Sequence, residues 1–497
     1  MNSFSMAVKQ STAGIGTLGW GVVLLLIAAA VLIAAGVPFA PAWIVSGTVA
    51  VLFAYTYPYV THGIVVALVP FLGIMVSLPT GKLAIGERAF GGAIDVQVGE
   101  LAAMSLVVAW AFKVFFLWVK RRDVNWKPWL PFALPMAAVV ATHLASAFSA
   151  FQPDPILVAK YTLRPVFWAY LIYVVITVNF VRSRRRLLTI LGIVAATGVF
   201  AALMGSASLA FAGSADQFLR RAHPLPMFGI MPLGDNHNLL AEWFAVTVPL
   251  TIALALLVQE KRSRRLLMLA AGFQAVVALL TFARTLWIVL AFEAILAGWL
   301  VWRDELRQWF PRVLVAIVFL IPLAFAMTVF SGTALVRSST STRYMLSEIA
   351  LNLWQASPWI GVGAGTFVDR IANIRVFIIE YGNPVDAHGF GQKLIAEVGL
   401  LGLLAVAWVV AWVYGFVRYC LGAFKDRPRE RDVFLILAIA ASGSFLYQLF
   451  NTNYWTGKLW LPVGILLAAA RILHPNTGLL FRVPRRSLSR TEPMDSE

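Results

Sequence analysis

Apolar runs, each about as long as a bilayer's hydrocarbon core is thick, recur along the entire chain. A membrane-spanning helix needs about 20 consecutive, mostly apolar residues. We identify fourteen such runs, at 17–36, 42–57, 62–80, 101–119, 129–150, 163–181, 187–212, 239–258, 266–283, 285–302, 313–331, 394–417, 433–450 and 457–472. The pattern predicts an all-α polytopic membrane protein with about 12 to 14 transmembrane helices. Twelve is the alternative, because only short gaps separate the first three runs.

The composition agrees with a lipid-embedded protein. Hydrophobic residues make up 60% of the 497 and charged residues 13%, whereas soluble domains are about half apolar and about a quarter charged. The single cysteine, Cys420, excludes an internal disulfide and a cysteine metal cluster. The six histidines form no H-x-x-x-H pair on a helix, so the sequence predicts neither a metal site nor a cofactor.

The net charge of +17 is explained by orientation in the membrane, without nucleic acid as a partner. Cytoplasmic loops carry an excess of Lys and Arg, and under an alternating topology every basic cluster falls on one side. These clusters lie at 120–127, 182–186, 261–265, 303–312, 418–431 and 482–490. We therefore expect a cytoplasmic N-terminus at 1–16, a single transmembrane domain at 17–472 and a cytoplasmic tail at 473–497. The first apolar run is expected to be a retained helix, not a cleaved signal.

Two long loops lie on the opposite, extracytoplasmic side under this topology. One runs from Ser206 to Asn238, and the other, of about sixty residues, covers 331–393. Loops of this length between membrane helices are more often functional than idle. We expect the 331–393 loop to contain short helices and to carry the catalytic groups.

Arg284 is the cation that most needs an explanation. It lies in TFARTLWIVL, with apolar sequence on both sides, and a charge there is costly unless it faces a cavity or a partner. One interpretation is a phosphate-binding residue, because the planar guanidinium fork matches phosphate oxygens. The alternative is a snorkelling arginine at a turn in the membrane interface.

Arg343, in STSTRYMLSEIALNLW, is a second candidate on the same side. Ser339–Thr342 offer N-cap hydroxyls, and the apolar positions that follow predict a short amphipathic surface helix with Arg343 in its first turn. A cation there opposes the helix dipole, and a bound anion would remove that conflict. The alternative is a solvated surface arginine. The glycines of 361–365 predict a turn that ends this helix close to a ligand.

His388 lies directly before an apolar run, in PVDAHGFGQKLIAEVGLLG. Partial desolvation could tune its pKa there, and Asp386 could orient the ring or stabilise its charged form. A lone histidine is more often structural than catalytic, which is the alternative. His237, in GDNHNLLAEWF, is a rival catalytic candidate because it also opens a membrane helix.

In order and spacing, four segments resemble the O-antigen ligase and polymerase superfamily. They are GDNHNLLAEWFAVTVPL, TFARTLWIVL, STRYMLSEIALNLWQASPWIGVGAGTF and DAHGFGQKLIAEVGLLGLL, which together cover roughly 234–404. The resemblance implies a GT-C-like multi-helical membrane fold. It also implies a metal-independent glycosyltransferase that uses a glycan on undecaprenyl diphosphate at the periplasmic face.

The same resemblance suggests roles for individual residues. His388 is similar to the family's catalytic histidine, and Arg284 and Arg343 are similar to the arginines that contact the diphosphate. Asn238 is similar to the asparagine that opens the helix after the earlier outer loop. The supporting candidates are Asp386, Asn238, His237 and Arg337.

Three positions depart from the family pattern. Gly389 follows the histidine, where the family often has asparagine or serine. Ala283 and Thr285 flank Arg284, where the family often has serine and glycine. These changes leave the acceptor open.

We therefore expect an inverting glycosyltransferase of the bacterial inner membrane, acting in O-antigen or exopolysaccharide assembly as a ligase or a polymerase. Its partners would be the undecaprenyl-diphosphate-linked donor, membrane lipids, and an acceptor on a glycan, a lipid A core or a protein. A protein O-oligosaccharyltransferase is the alternative within the enzyme class. A transporter of lipid-linked sugar is the alternative of another class, although the sequence shows none of the internal repeats that transporters usually have.

Overall fold

Helices make up nearly all of the regular structure in this computed structural model, which describes residues 40–79, 93–119, 128–149, 168–211, 221–303, 333–382, 385–451 and 456–473. The helices are α1 (Ala40–Thr56), α2 (Pro58–Leu68), α3 (Val98–Val119), α4 (Ala133–Ser149), α5 (Tyr170–Phe180, π-helical over Tyr170–Ile176), α6 (Arg184–Phe211), α7 (His237–Leu257), α8 (Lys261–Leu280), α9 (Arg284–Leu300), α10 (Thr333–Ala356), α11 (Phe367–Ala372), α12 (Arg375–Tyr381), α13 (Phe390–Ala423), α14 (Pro428–Leu449) and α15 (Gly457–Leu473). One antiparallel hairpin joins β1 (Met75–Pro79) to β2 (Ala93–Gln97).

The prediction of an all-α polytopic membrane protein is confirmed. Within the described residues, six helices are long and apolar enough to cross a membrane, namely α3, α6, α7, α8, α13 and α14. A seventh span results if α1 and α2, between which the chain bends by 113°, cross the membrane as one broken helix. The predicted runs at 17–36 and 313–331, and the termini at 1–16 and 474–497, lie outside the described residues, so the full helix count stays a prediction.

The predicted span at 62–80 is wrong. α2 ends at Leu68, and Pro70 follows it, which has no N–H with which to continue the helix. The Gly73 N–H then donates to the Pro232 carbonyl at 3.1 Å, which draws the chain toward the loop before α7. The apolar residues after that point form strand β1, because apolar composition alone does not distinguish a short strand from a helix.

Helix α7 forms the centre of the bundle. It packs against α6, α8 and α14, and its Trp243 and Phe244 are fully buried. Asn236 caps it, since the Asn236 side chain accepts a hydrogen bond from the Asn238 N–H at 2.9 Å. The helix therefore begins at His237, one residue before Asn238, which the resemblance suggested as the residue that opens it.

Arginines from the predicted cytoplasmic clusters cap helix C-termini at the far end of α7. Arg184 donates to the Leu257 carbonyl at 3.1 Å, and Arg429 donates to the Leu256 carbonyl at 3.1 Å. The last carbonyls of a helix have no partner within the helix and carry partial negative charge, so cations there are stabilising. These basic residues therefore lie at the opposite end of α7 from His237.

Helix α13 is broken at Gly399, where φ is 69°. The segment 357–365 fills the break with main-chain hydrogen bonds. The Leu400 N–H donates to the Pro358 carbonyl at 2.9 Å, and the Val362 N–H donates to the Ala396 carbonyl at 3.0 Å. A broken helix at membrane depth requires such substitute partners, because unpaired backbone groups are costly in lipid.

Two glycines make this close approach possible. A Cβ on Gly399 would lie 2.6 Å from the Trp359 backbone, and a Cβ on Gly361 would lie 2.2 Å from the Glu397 backbone. Both residues also have positive φ, which favours glycine. The turn that the glycines of 361–365 predicted is present, but it packs against α13 and follows α10, which has already ended at Ala356.

We expect Gly399→Ala to destabilise the protein. The backbone conformation alone, with φ at 69° and ψ at −165°, is essentially restricted to glycine and should cost alanine about 1–3 kcal/mol, and the contact with Trp359 should add to that. The matched control is Gly415→Ala in the same helix, where a Cβ meets nothing within 4 Å. Relative to Gly399→Ala, this control should unfold at a higher temperature in detergent micelles, followed by tryptophan fluorescence; equal unfolding temperatures would refute the role of the break.

Candidate functional site

Three side chains that the sequence predicted as functional converge at one end of the bundle. Arg284 comes from the start of α9, Arg343 from α10, and His388 from the loop before α13. Arg343 is the central member, because its charge lowers the pKa of His388 while the charge of Arg284 lowers the pKa of Arg343. Residues that are 104 positions apart along the chain, from 284 to 388, thus share one electrostatic environment.

A tight turn places Arg284 at the N-terminus of α9. The Thr281 hydroxyl accepts a hydrogen bond from the Ala283 N–H at 3.3 Å, and Phe282 has a φ of 53°. The ring of Phe282 packs edge-on against Trp287 at 5.9 Å between centroids, which helps to hold this uncommon conformation. Arg284 is half-buried, and the positive end of the α9 dipole lies beside it.

The prediction that Arg343 lies in the first turn of a short helix is wrong. α10 runs from Thr333 to Ala356, so Arg343 lies in its interior. Ser339–Thr342, which suggested a cap, continue the helix, because the intrinsic helix propensities of serine and threonine are only a few tenths of a kcal/mol below those of good helix formers. The argument from the helix dipole therefore does not apply to Arg343.

The Arg343 side chain has a hydrogen-bond donor without an acceptor, which is a separate reason to consider an anionic ligand. Its Nε is buried and has no hydrogen-bond partner. Desolvation and the neighbouring Arg284 lower the pKa of Arg343, while Tyr447 raises it. Because arginine keeps its charge in proteins, this half-buried guanidinium has an N–H free to donate to an anionic oxygen.

His388 presents an exposed ring close to these cations. Partial desolvation and the charge of Arg343 lower the pKa of His388, and Asp386 opposes them. The imidazole is therefore neutral at pH 7 and can accept a proton. Asp386 itself accepts hydrogen bonds from the Lys393 ammonium at 2.6 Å and from the Ala387 N–H at 2.9 Å. It acts on the ring by its charge.

The packing of Gly389 explains why a glycine follows the histidine. A Cβ at this position would lie 2.7 Å from the Leu449 carbonyl oxygen at the end of α14. Any larger residue would push the loop away from α14 and displace the adjacent His388. The departure from the family pattern thus has a steric cause in this protein.

A hydrogen-bonded link joins α10 to α13 between the arginine and the histidine. The Gln392 amide donates to the Ser347 hydroxyl at 2.6 Å, and that hydroxyl donates to the Arg343 carbonyl at 2.8 Å. Gln392 lies one turn after His388 on α13. The link therefore fixes the distance between the two elements that carry Arg343 and His388.

Sequence reasoning missed a buried polar network beneath the site. The Glu242 and Lys458 side chains form an ion pair at 3.0 Å with exposed fractions of 3% and 1%, and Gln448 also donates to Glu242. The Tyr447 hydroxyl, whose ring lies near Arg343, donates to the Asn238 carbonyl at 2.9 Å. Both charged residues lie in predicted membrane runs, where an ionisable residue is itself a signal of function.

The other residues that the sequence suggested for the site are His237, Asn238 and Arg337. His237 Nε2 lies 3.5 Å from an Arg221 guanidinium nitrogen, on the preceding loop. Asn238 offers its carbonyl to Tyr447, and its side chain is exposed. The side chain of Arg337 lies outside the described residues. Among the side chains that are described, no group of three or more His, Cys, Asp or Glu could hold a metal ion.

Part of the chain matches a known protein family. Residues 267–407 match the family model described as O-antigen ligase. The match includes Arg284, Arg343 and His388, but not Tyr447 or Lys458. A search of curated proteins found no match.

We expect Lys458→Met to destabilise the bundle strongly. Removing one partner of a buried ion pair leaves an uncompensated charge and typically costs about 3–5 kcal/mol. The double variant Glu242→Gln with Lys458→Met should recover most of this loss, because no charge is then buried. Chemical unfolding in micelles measures both, with the exposed Lys425→Met as the control. A double variant no more stable than Lys458→Met would contradict the ion-pair interpretation.

Proposed function

We propose that this chain, of which residues 267–407 match the O-antigen ligase family model, is a metal-independent inverting glycosyltransferase. It moves a glycan from undecaprenyl diphosphate to an acceptor hydroxyl at the periplasmic face of the bacterial inner membrane, in O-antigen or exopolysaccharide assembly. The observation that supports this most directly is the convergence of a neutral histidine with two arginines at one end of the bundle.

His388 is the proposed general base. Its neutral imidazole accepts the proton of the acceptor hydroxyl while the hydroxyl oxygen attacks the anomeric carbon of the lipid-linked sugar. The bond from that carbon to the diphosphate oxygen breaks, and polyprenyl diphosphate leaves. A single displacement inverts the configuration at the anomeric carbon. The exposed position of the ring supports this role, because an acceptor must reach it.

Arg284 and Arg343 are the proposed diphosphate contacts. Negative charge builds up on the leaving oxygen in the transition state, and fixed cations in a partly dry site stabilise it without reorganisation. The free Nε of Arg343 supplies a donor that needs an acceptor oxygen. Two permanent positive charges could serve the purpose for which other glycosyltransferases use a divalent metal ion.

The first test is His388→Ala in purified protein with a lipid-linked donor. Loss of the general base should lower kcat by about 10²–10⁴-fold, while binding of the donor, measured separately, should be retained. His237→Ala is the matched control, since His237 also opens a helix at this end of the bundle, and it should keep most of the activity. The reverse pattern would transfer the base assignment to His237.

The pH profile provides a second measurement of the same assignment. Activity should fall as the pH decreases through the pKa of His388, which lies below the ordinary value of 6.5. Because Asp386 raises this pKa, Asp386→Asn should move the acidic limb to still lower pH. An unmoved limb in this variant would show that another group titrates.

The second test is Arg284→Lys, which keeps the charge but removes the guanidinium fork. Losing one preorganised donor to a developing oxyanion typically lowers kcat by about 10²–10³-fold, and retention of the charge should place this variant at or below the lower end of that range. The exposed Arg265→Lys, at the other end of the bundle, is the control. A kcat for Arg284→Lys equal to that of the control would argue against the diphosphate role.

A further inference from the structure

An apolar groove lies between α13 and α14, within the part of the bundle expected to be in the membrane. It has a volume of about 350 Å³, and its walls are almost entirely apolar. On α14 the wall includes Ala438, Ala441, Ser442 and Phe445. This spacing of three and four residues places them on one helix face. We call this cavity the α13–α14 groove.

The groove is open on the side that faces lipid. Its floor is buried, with exposed fractions of 4% at Val409, 8% at Val463 and 1% at Leu466. Its edge is not, because Val410 and Tyr414 are 39% and 63% exposed. A cavity with an apolar floor and an open lateral edge can receive a flexible hydrocarbon chain directly from the bilayer.

The upper end of the groove adjoins the candidate site. Phe390 and Leu449 line it there. Phe390 follows Gly389, and Gly389 packs so closely on the Leu449 carbonyl that a Cβ has no room. Phe390 follows His388 by two residues, so this end of the groove lies next to the loop that carries His388, and the charge of Arg343 acts on His388.

We propose that the α13–α14 groove binds the polyprenyl chain of the donor lipid. This inference rests on the proposed function and identifies where that site holds the apolar part of its substrate. From Ala438 to Leu449 the groove wall covers eleven residue steps, about 16 Å at 1.5 Å per residue. That is about half of the roughly 30 Å hydrocarbon core, so the groove leads from the site to the middle of the membrane.

The charge distribution favours the donor over an ordinary membrane lipid. The two arginines of the candidate site, which adjoins this end of the groove, suit a diphosphate, which offers several anionic oxygens to guanidinium groups. Below the mouth the floor has no charged group among the residues that line it. An amphiphile with a diphosphate head and a long hydrocarbon chain matches both parts at once, whereas a phospholipid acyl chain matches only the groove.

Filling the groove should therefore impair recognition of the chain and leave the chemistry intact. Ser442→Phe adds a large side chain at the open edge of α14, where Ser442 is exposed and its replacement can be accommodated by lipid. The matched control is Leu404→Phe, which is 54% exposed on α13 and does not line the groove. Neither residue belongs to the proposed catalytic groups.

The experiment compares two donors that carry the same glycan on diphosphate, one with an undecaprenyl chain and one with a geranyl chain. In Ser442→Phe, KM for the undecaprenyl donor should rise at least about tenfold, because displacing even two methylene groups from an apolar site weakens binding by that factor. KM for the geranyl donor should stay unchanged, and Leu404→Phe should alter neither. Equal effects on both donors, or on neither, would overturn the proposal.

A binding measurement separates this inference from the proposed function. A photoreactive side chain at position 410 should crosslink to labelled undecaprenyl diphosphate, a probe that carries no glycan and needs no turnover. Unlabelled undecaprenyl diphosphate should suppress the crosslink, and phosphatidylglycerol vesicles should not. Suppression by phosphatidylglycerol would show that the groove takes ordinary lipid and would overturn the inference. Crosslinking without glycan transfer would refute the proposed function and keep the groove assignment.

Discussion

The main-chain hydrogen bonds between segment 357–365 and the break in α13 hold the site together. The segment follows α10, which carries Arg343. The break interrupts α13, which begins two residues after His388. Bonds such as Leu400 N–H to the Pro358 carbonyl replace those that the helix loses at Gly399. In lipid these backbone groups have no water with which to form hydrogen bonds, so they must bond to segment 357–365. These bonds position α10 against α13.

The same end of the bundle concentrates positive charge in a partly desolvated place. Besides desolvation, the charge of Arg284 lowers the pKa of Arg343, and the charge of Arg343 lowers the pKa of His388. Like charges held close together are unfavourable, so the surrounding fold must hold them in place. Tyr447, Asn238 and the Glu242–Lys458 pair join α7, α14 and α15 beneath them. The folded protein thus holds two cations and a histidine close together.

Several local predictions failed because tertiary packing outweighs local signals. Serine and threonine before Arg343 suggested a helix start, yet α10 passes through them, since the cost in helix propensity is small. The apolar run at 62–80 suggested a span, yet it ends in a strand after Pro70. The turn predicted for the glycines of 361–365 is present, yet it packs into a broken helix that no sequence period reveals.

The sequence by itself determined the membrane class and most of the apolar helices, and it singled out three candidate site residues. Long apolar runs, basic loops and isolated cations each carry a local physical signal. Only the tertiary structure decided that Arg284, Arg343 and His388 are neighbours, that Asp386 is held by Lys393, and that Glu242 meets Lys458. Those facts depend on contacts between residues far apart in the chain, and the periodicity and charge of single segments contain no information about which segments meet.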